Sequence, residues 1–288
     1  MKTIQACFIA ILLGAALSAH ATPAEQLQAQ YTALAPRLAA NPFNRPLVLD
    51  SQDSQNRPQG DIYAVVNYPF ATVNTALNNA GHWCDVMLLH INTKYCHPVS
   101  QGAATQLRLY VGKKTPQELA DADRIDFTYT PVAAAPDYFE VALDAKQGPL
   151  GTSGYRIVLQ AVALDAGKTF LHLSYGYNMN FSARMATQVY LGTVGRGKIG
   201  FTQARKPDGK TEYVGGVRGI VERNTMRYYL AIDSYLAASK APAPQQWEAS
   251  LQSWFSASET YAHQLHEMDR GEYLAMKRDE YARQQVLR

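Results

Sequence analysis

Residues 218–236 read RGIVERNTMRYYLAIDSYL, and this stretch decides the fold class. From Asn224 onward its apolar side chains recur at helical spacing and leave only a narrow polar stripe. A helix that is apolar around most of its circumference is buried on several sides, inside a large core or across a sheet. We therefore predict a long buried helix over 224–236. Asn224 is the expected N-cap, because its side chain can accept a bond from an unpaired backbone N–H.

The chain before this helix has the pattern of β-strands. Leu107, Leu109 and Val111 alternate with Arg108 and Tyr110, as on a half-buried strand. Similar segments are 61–68, 125–129, 138–143, 155–164 and 169–177, and Lys206-Pro207-Asp208-Gly209 indicates a further hairpin. We predict an α+β fold, in which a curved antiparallel sheet of about seven strands grips the long C-terminal helix.

Other helices are predicted from spacing and from capping residues. An apolar stripe indicates a helix over 27–38, and another is expected over 181–191 with Met185 and Val189 on one face. Thr115-Pro116-Gln117-Glu118 has the residues of a helix start. We divide the chain into an N-terminal helix and extended lead-in (22–59), a main domain (60–239), and a linker with an amphipathic helical tail (240–288).

The first 21 residues have the composition of a secretory signal peptide. Lys2 precedes an apolar run over 6–17, and Ala19-His20-Ala21 is a small-x-small cleavage site. We expect the mature chain to begin at Thr22 and to be periplasmic or secreted. No later apolar run is long enough to span a bilayer. The net charge is +3 without a clustered basic face, so no nucleic-acid partner is expected.

Two cysteines, Cys84 and Cys96, remain after removal of the signal peptide. In an oxidising compartment a disulfide between them is expected. The alternative is metal binding, because His82, His90 and His97 lie in the same stretch. The spacings match no compact zinc pattern, so we predict the disulfide and no metal.

The tail carries an aromatic and aliphatic stripe between Trp247 and Met268. The simpler interpretation is that this stripe packs back on the main domain. The alternative is that Trp247, Trp254 and Phe255 contact a protein partner or a membrane surface. The charged residues at 277–283 are expected to be solvated.

Motifs for phosphate binding and for catalysis are incomplete. The segment 192–198 fits G-x-x-x-x-G-K, but Ile199 stands where a P-loop requires Ser or Thr, so no nucleotide cofactor is expected. No hydrolase signature is present, and we assign no catalytic residue. Acid–base groups that could act together only in three dimensions are His82, His90, His172, Asp85, Glu222 and Asp233.

The order of elements resembles that of a known superfamily. A strand at 61–68 is followed by Pro69, a short helix with Val73 and Leu77, then Trp83, a run of antiparallel strands and the final helix. This order resembles the START-like, or helix-grip, superfamily, which includes the steroidogenic acute regulatory protein-related lipid-transfer domains. The resemblance covers 46–239. It implies an apolar tunnel for a lipid, sterol or polyketide between sheet and helix.

If the tunnel exists, aromatic and aliphatic side chains of the strands and the final helix form its wall. The candidates are Tyr110, Tyr129, Phe139, Tyr155, Phe170, Leu173, Tyr175, Met226, Tyr229 and Leu230. The same residues could instead fill a dry core. Arg218, Arg223 and Arg227 either pair with Glu222 or bind an anionic head group.

The leading hypothesis is an exported protein that binds or carries a lipid or other hydrophobic small molecule in an internal cavity, without a cofactor. The alternatives are a cyclase- or hydrolase-type enzyme that uses the same cavity, suggested by the histidines near Trp83, and an interaction module that acts through the tail.

Overall fold

A computed structural model describes residues 21–287, apart from Gln55, Ala103, Val194, Pro207 and Asp208. The predicted signal peptide lies outside this part of the chain, except for Ala21. The helices are α1 (Pro23–Ala39), α2 (Phe70–Leu77), α3 (Ala80–Leu89), α4 (Phe181–Gly192), α5 (Gly216–Ala238), α6 (Gln246–Glu259), α7 (Ala262–Leu265) and α8 (Arg270–Val286). None of these helices is long and apolar enough to cross a membrane.

The described residues form one large antiparallel sheet of eight strands and a separate two-stranded hairpin. The strands of the sheet are β1 (Leu47–Ser54), β2 (Arg57–Val66), β3 (Thr93–Gln101), β4 (Ala104–Val111), β5 (Asp123–Ala134), β6 (Tyr138–Gln147), β7 (Thr152–Asp165) and β8 (Lys168–Met179). Their order is β1-β2-β8-β7-β6-β5-β4-β3. The hairpin is β9 (Gln203–Arg205) with β10 (Thr211–Tyr213). The predicted α+β fold class is confirmed.

Two strands of the large sheet were not predicted. The segment 50–60, for which no strand was predicted, contains most of β1 and the start of β2, which pair from Leu47–Ala64 to Ser54–Arg57. β1 is polar after Leu49 because it is an edge strand, so that its outer half needs no apolar partner. β3 has Pro98 in its middle, and it lies at the opposite edge, where a missing N–H is tolerated.

The final helix is longer than predicted. α5 begins at Gly216, with Gly215 as N-cap, so Asn224 lies inside the helix and the predicted cap is wrong. Gly216 has φ +62°, a conformation that favours glycine, and this turn lets the helix start before the apolar spacing begins. At 115–118 the predicted helix start is also wrong, because the Gln117 side chain bonds the Lys113 N–H and the Asp121 carbonyl and holds a loop.

The sheet separates two apolar layers. Its inner face and α5 form the main core. Its outer face is covered by α1, and a smaller core lies between them, consisting of Leu27, Leu38, Val48, Tyr138, Val162 and Phe170. The predicted disulfide is confirmed: Cys84 of α3 is bonded to Cys96 of β3, with Cα atoms 5.1 Å apart.

The tail folds back onto α5 and α3 as three helices. Leu251, Trp254 and Tyr273 are buried, and the Trp254 indole donates to the Arg227 carbonyl over 3.2 Å. The prediction that 277–283 is solvated is wrong for Lys277 and Glu280. Both are buried because Glu280 lies between the ammonium groups of Lys94, at 3.0 Å, and Lys277, at 2.7 Å.

Candidate functional site

Most of the predicted wall residues lie in the main core. On the inner face of the sheet, Tyr129, Phe139 and Tyr175 are buried, and Tyr155 is partly buried against them. Leu173 is buried on the same face, and Met226 and Leu230 are completely buried on α5. Tyr229 faces Arg45, whose guanidinium lies 5.7 Å from the ring centre.

Two predicted wall residues lie on the outer face of the sheet instead. Phe170 belongs to the smaller core under α1, where its ring centre is 5.2 Å from that of Tyr31. Tyr110 packs against Tyr95 with ring centres 5.8 Å apart, on the face opposite to Leu109. Strand residues alternate between the two faces, and only the register decides which set faces α5.

Four tyrosines form a layer between the sheet and α5. The ring centres of Tyr155 and Tyr177 are 5.1 Å apart, those of Tyr175 and Tyr177 5.8 Å, and those of Tyr175 and Tyr228 5.2 Å. Burial raises the pKa of each hydroxyl, so all four are neutral donors. We call this set the tyrosine layer. Tyr177 and Tyr228 were not predicted as wall residues. Tyr177 could have been, because it continues the alternation of Leu173 and Tyr175 along the strand.

A cluster of charged side chains lies close to the tyrosine layer, where burial raises the pKa of Tyr177 and the nearby charge of Arg223 opposes that rise. Glu267, which follows α7, accepts bonds from Arg227 Nη2 at 2.7 Å, from Lys114 Nζ at 2.5 Å and from Lys198 Nζ at 2.7 Å. Arg223 lies one turn before Arg227 on α5 and donates to the Ile199 carbonyl over 3.0 Å. We call these four cations and one carboxylate the cation cluster. Its four cations outnumber its one carboxylate. Arg223 and Arg227 are almost completely buried.

The pKa values in the cation cluster reflect this imbalance. Burial, and then the charge of Arg227, lower the pKa of Arg223 to about 10. Burial and Arg227 likewise lower the pKa of Lys114 to about 8. Burial alone would raise the pKa of Glu267, but Arg227 and Lys114 outweigh it and hold that pKa at about 2. The site therefore favours additional negative charge.

Three buried N–H groups beside the tyrosine layer have no acceptor among the described residues. They are Nε of Arg223, Nε of Arg227 and Nε2 of His90. The His90 ring lies 4.8 Å from that of Tyr228, and its Nδ1 accepts the Asn92 N–H, which leaves the proton on Nε2. Buried donors without acceptors are costly, and an anion would satisfy them.

Arg218 is separate from the cation cluster. Its Nε donates to the Ser51 hydroxyl at 2.7 Å and lies 3.7 Å from Glu222. Glu222 is completely buried and accepts the backbone N–H groups of Phe201 and Thr202 at 2.5 and 2.9 Å. Among the predicted head-group residues, Arg218 thus pairs with Glu222, whereas Arg223 and Arg227 turn toward the cation cluster.

The structure distributes the acid–base candidates over separate places. His82 and Asp85 line an open groove of about 770 Å³ between α2, α3, α6 and α8, and His90 is buried beside Tyr228. His172 pairs with Asp61 at 3.0 Å on the outer face of the sheet. Asp233 pairs with Arg45 at 3.0 Å. These positions bring together no acid–base pair at the tyrosine layer.

The described part of the chain has no group of three or more His, Cys, Asp or Glu residues that could hold a metal ion. The tail aromatics are placed in the fold: Trp254 and Phe255 are in the main core, and Trp247 stacks on Tyr281 with ring centres 4.3 Å apart. Contact of Trp254 and Phe255 with a partner would require them to leave that core.

Comparison with known proteins gives structural neighbours only. No family model and no curated protein matches the chain. It is similar to the Zhui aromatase/cyclase from Streptomyces sp. R1128, with 13% identity, 72% of this chain and 94% of that chain covered, and a TM-score of 0.33. It is also similar to Ara h 8.0201, with 10% identity, 63% and 99% covered, and a TM-score of 0.38. Norcoclaurine synthase from Thalictrum flavum matches with 12% identity, 52% and 88% covered, and a TM-score of 0.31. Likeness at this level carries no argument about function.

Proposed function

We propose that the protein binds or carries a lipid or other hydrophobic small molecule between the sheet and α5, and that Arg223 and Arg227 hold an anionic group of that molecule. The observation that carries the proposal is the set of unsatisfied, buried N–H groups of these arginines beside the tyrosine layer. A buried N–H group without an acceptor costs about 1–3 kcal/mol. A bound anion would remove part of that cost.

The two halves of the site suit the two halves of an amphiphile. The ring faces of the tyrosine layer can contact an apolar chain or ring, and their neutral hydroxyls can donate to an oxygen. A guanidinium matches the geometry of a carboxylate or a phosphate, to which it can donate two parallel bonds. A fatty acid or another acidic amphiphile combines these features.

Uptake of such a molecule requires side chains to move. Tyr175 and Tyr228 are buried against each other, so a ligand has to displace part of the tyrosine layer. Lys114 and Lys198 are each 27% exposed, so the cation cluster reaches solvent on their side. We infer that the anionic group enters on that side.

We further propose that the protein is exported, with residues 1–21 as its signal peptide. The disulfide between Cys84 and Cys96 supports this, since such bonds persist in oxidising compartments. Mass spectrometry of the protein from its native cells tests both the cleavage site and the ligand. A chain that begins at Thr22 and carries an acidic lipid is expected.

Binding of two matched probes tests the assignment of the arginines. Oleate and oleyl alcohol have the same chain and differ in charge. We expect oleate to bind at least about tenfold more tightly, because charge-assisted bonds contribute about 1.5–3 kcal/mol each. Arg223→Met should remove this preference, whereas Arg218→Met is the control and should retain it. Equal affinity for both probes, or no binding of either, would contradict the proposal.

A further inference from the structure

One face of α4 is apolar and exposed. Phe181, Met185 and Val189, spaced by one helical turn each, are 80%, 45% and 63% exposed. Leu150, which is 80% exposed, lies beside the start of this helix, where the Asn180 N–H donates to the Gly151 carbonyl over 3.3 Å. The prediction of a helix here is confirmed, but Phe181, Met185 and Val189 do not enter the core. We call these four side chains the α4 face.

The opposite side of α4 is fastened to the domain. Ala183 is buried, and Arg184 pairs with Asp53 of β1 at 2.8 Å. Asn180 caps the helix by accepting the Ala183 N–H at 2.8 Å. Burial lowers the pKa values of Arg223 and Arg227, and Tyr190 is close enough to both to oppose that lowering. The helix is therefore held in an orientation that keeps the α4 face outward, above the cation cluster.

The surroundings of the α4 face are cationic. Between Asp165 and Asp208 the sequence contains no Asp or Glu, while Lys and Arg recur. Lys146 and Arg57 are exposed on segments that adjoin the start of α4, and Arg196 is exposed one turn beyond its end. The nearby carboxylate of Asp53 is paired with Arg184. The charge is complementary to an anionic surface.

We propose that the α4 face docks on an anionic lipid bilayer, with its apolar side chains in the interfacial region and the flanking cations at the head groups. An amphipathic helix with apolar residues on one side and cations around it binds membranes in this way. The α4 face consists of four side chains. A specific protein interface buries about 800 Å² on each partner, so the α4 face is small for one. A bilayer requires no matched shape. The proposal does not depend on ligand binding between the sheet and α5.

Vesicle flotation of the purified mature chain, which begins at Thr22 and lacks the apolar residues 6–17, tests the proposal. The vesicles contain phosphatidylcholine alone or an equal mixture with phosphatidylglycerol. We expect binding to the mixed vesicles, little binding to phosphatidylcholine, and loss of binding at high salt. The variant Met185→Gln with Val189→Gln should reduce partitioning by about tenfold or more, because it removes two apolar contacts with the bilayer. Both positions are exposed, so the variant should unfold at the same temperature as the wild type.

The control is Val286→Gln, since Val286 is 81% exposed at the end of α8, away from α4 in the chain. It should partition within about twofold of the wild type, as expected for a single exposed side chain outside the contact. Failure of the wild type to bind mixed vesicles would overturn the proposal, as would equal binding by the double variant. Self-association that the double variant abolishes, without vesicle binding, would instead assign the α4 face to contact between two copies.

Discussion

Glu267→Gln is the sharpest test of the cation cluster. The substitution keeps the size of the side chain and removes the carboxylate that Arg227, Lys114 and Lys198 share. Lys114 and Lys198 are partly exposed and can be solvated again by water. The Arg227 side chain is 3% exposed and cannot, so its charge would remain buried without an anion.

The size of the loss follows from the burial of Arg227 and from the pKa of Glu267. Removing one partner of a buried ion pair lowers the free energy of unfolding by about 3–5 kcal/mol. Separately, a Glu267 pKa lowered from 4.5 to about 2 corresponds to about 3 kcal/mol, since each pKa unit is worth about 1.4 kcal/mol. We therefore expect Glu267→Gln to lower the free energy of unfolding by about 3 kcal/mol at neutral pH.

Urea denaturation at a series of pH values measures this loss. The lowered pKa contributes stability that is complete above about pH 4.5 and is lost as the pH falls toward 2. The variant should lack this part of the acid destabilisation. Glu259→Gln is the control, because Glu259 pairs with the half-exposed His266, and its loss should cost less than about 1 kcal/mol. Equal losses of unfolding free energy in the two variants would refute the reasoning. So would a Glu267→Gln variant that loses as much stability between about pH 4.5 and about pH 2 as the wild type does.

Three further predictions follow from particular contacts. Replacing Cys84 and Cys96 by Ser should lower the free energy of unfolding by about 3 kcal/mol, measured against the oxidised protein in urea. Oleate affinity should fall as the pH rises through about 8, where Lys114 loses its proton, and a titration of Lys114→Met should lack this step. Trp254→Ala should lower the free energy of unfolding by about 3–5 kcal/mol, measured in urea, because the indole is buried in the core. Trp247→Ala should lower it clearly less, because Trp247 is partly exposed.

Parts of the candidate site could be predicted from the sequence, and parts could not. Arg223 and Arg227 were named from the sequence, together with Arg218, as residues that either pair with Glu222 or bind an anionic head group. Glu267 could not be connected with them, since it lies 40 residues after Arg227 and 153 after Lys114. No local pattern records a contact over such distances.

The edges of the fold were also beyond local patterns. β1 and β3 were missed because an edge strand needs apolar residues on part of one face only. The exposure of the α4 face was missed because its apolar residues have the spacing of a buried stripe. Met185 and Val189 have the spacing of a core stripe, and only the tertiary structure shows that this stripe faces outward.

The sequence by itself determined the fold class, the buried final helix and the disulfide, because these follow from periodicity and from the number and spacing of cysteines. The tertiary structure decided which face of each strand meets α5, so that Phe170 and Tyr110 lie outside while Tyr177 lies inside. It also decided where the charges converge. The physical reason is that side-chain direction in a strand reverses with every residue, so register and long-range packing, which no single segment contains, select the residues of the site.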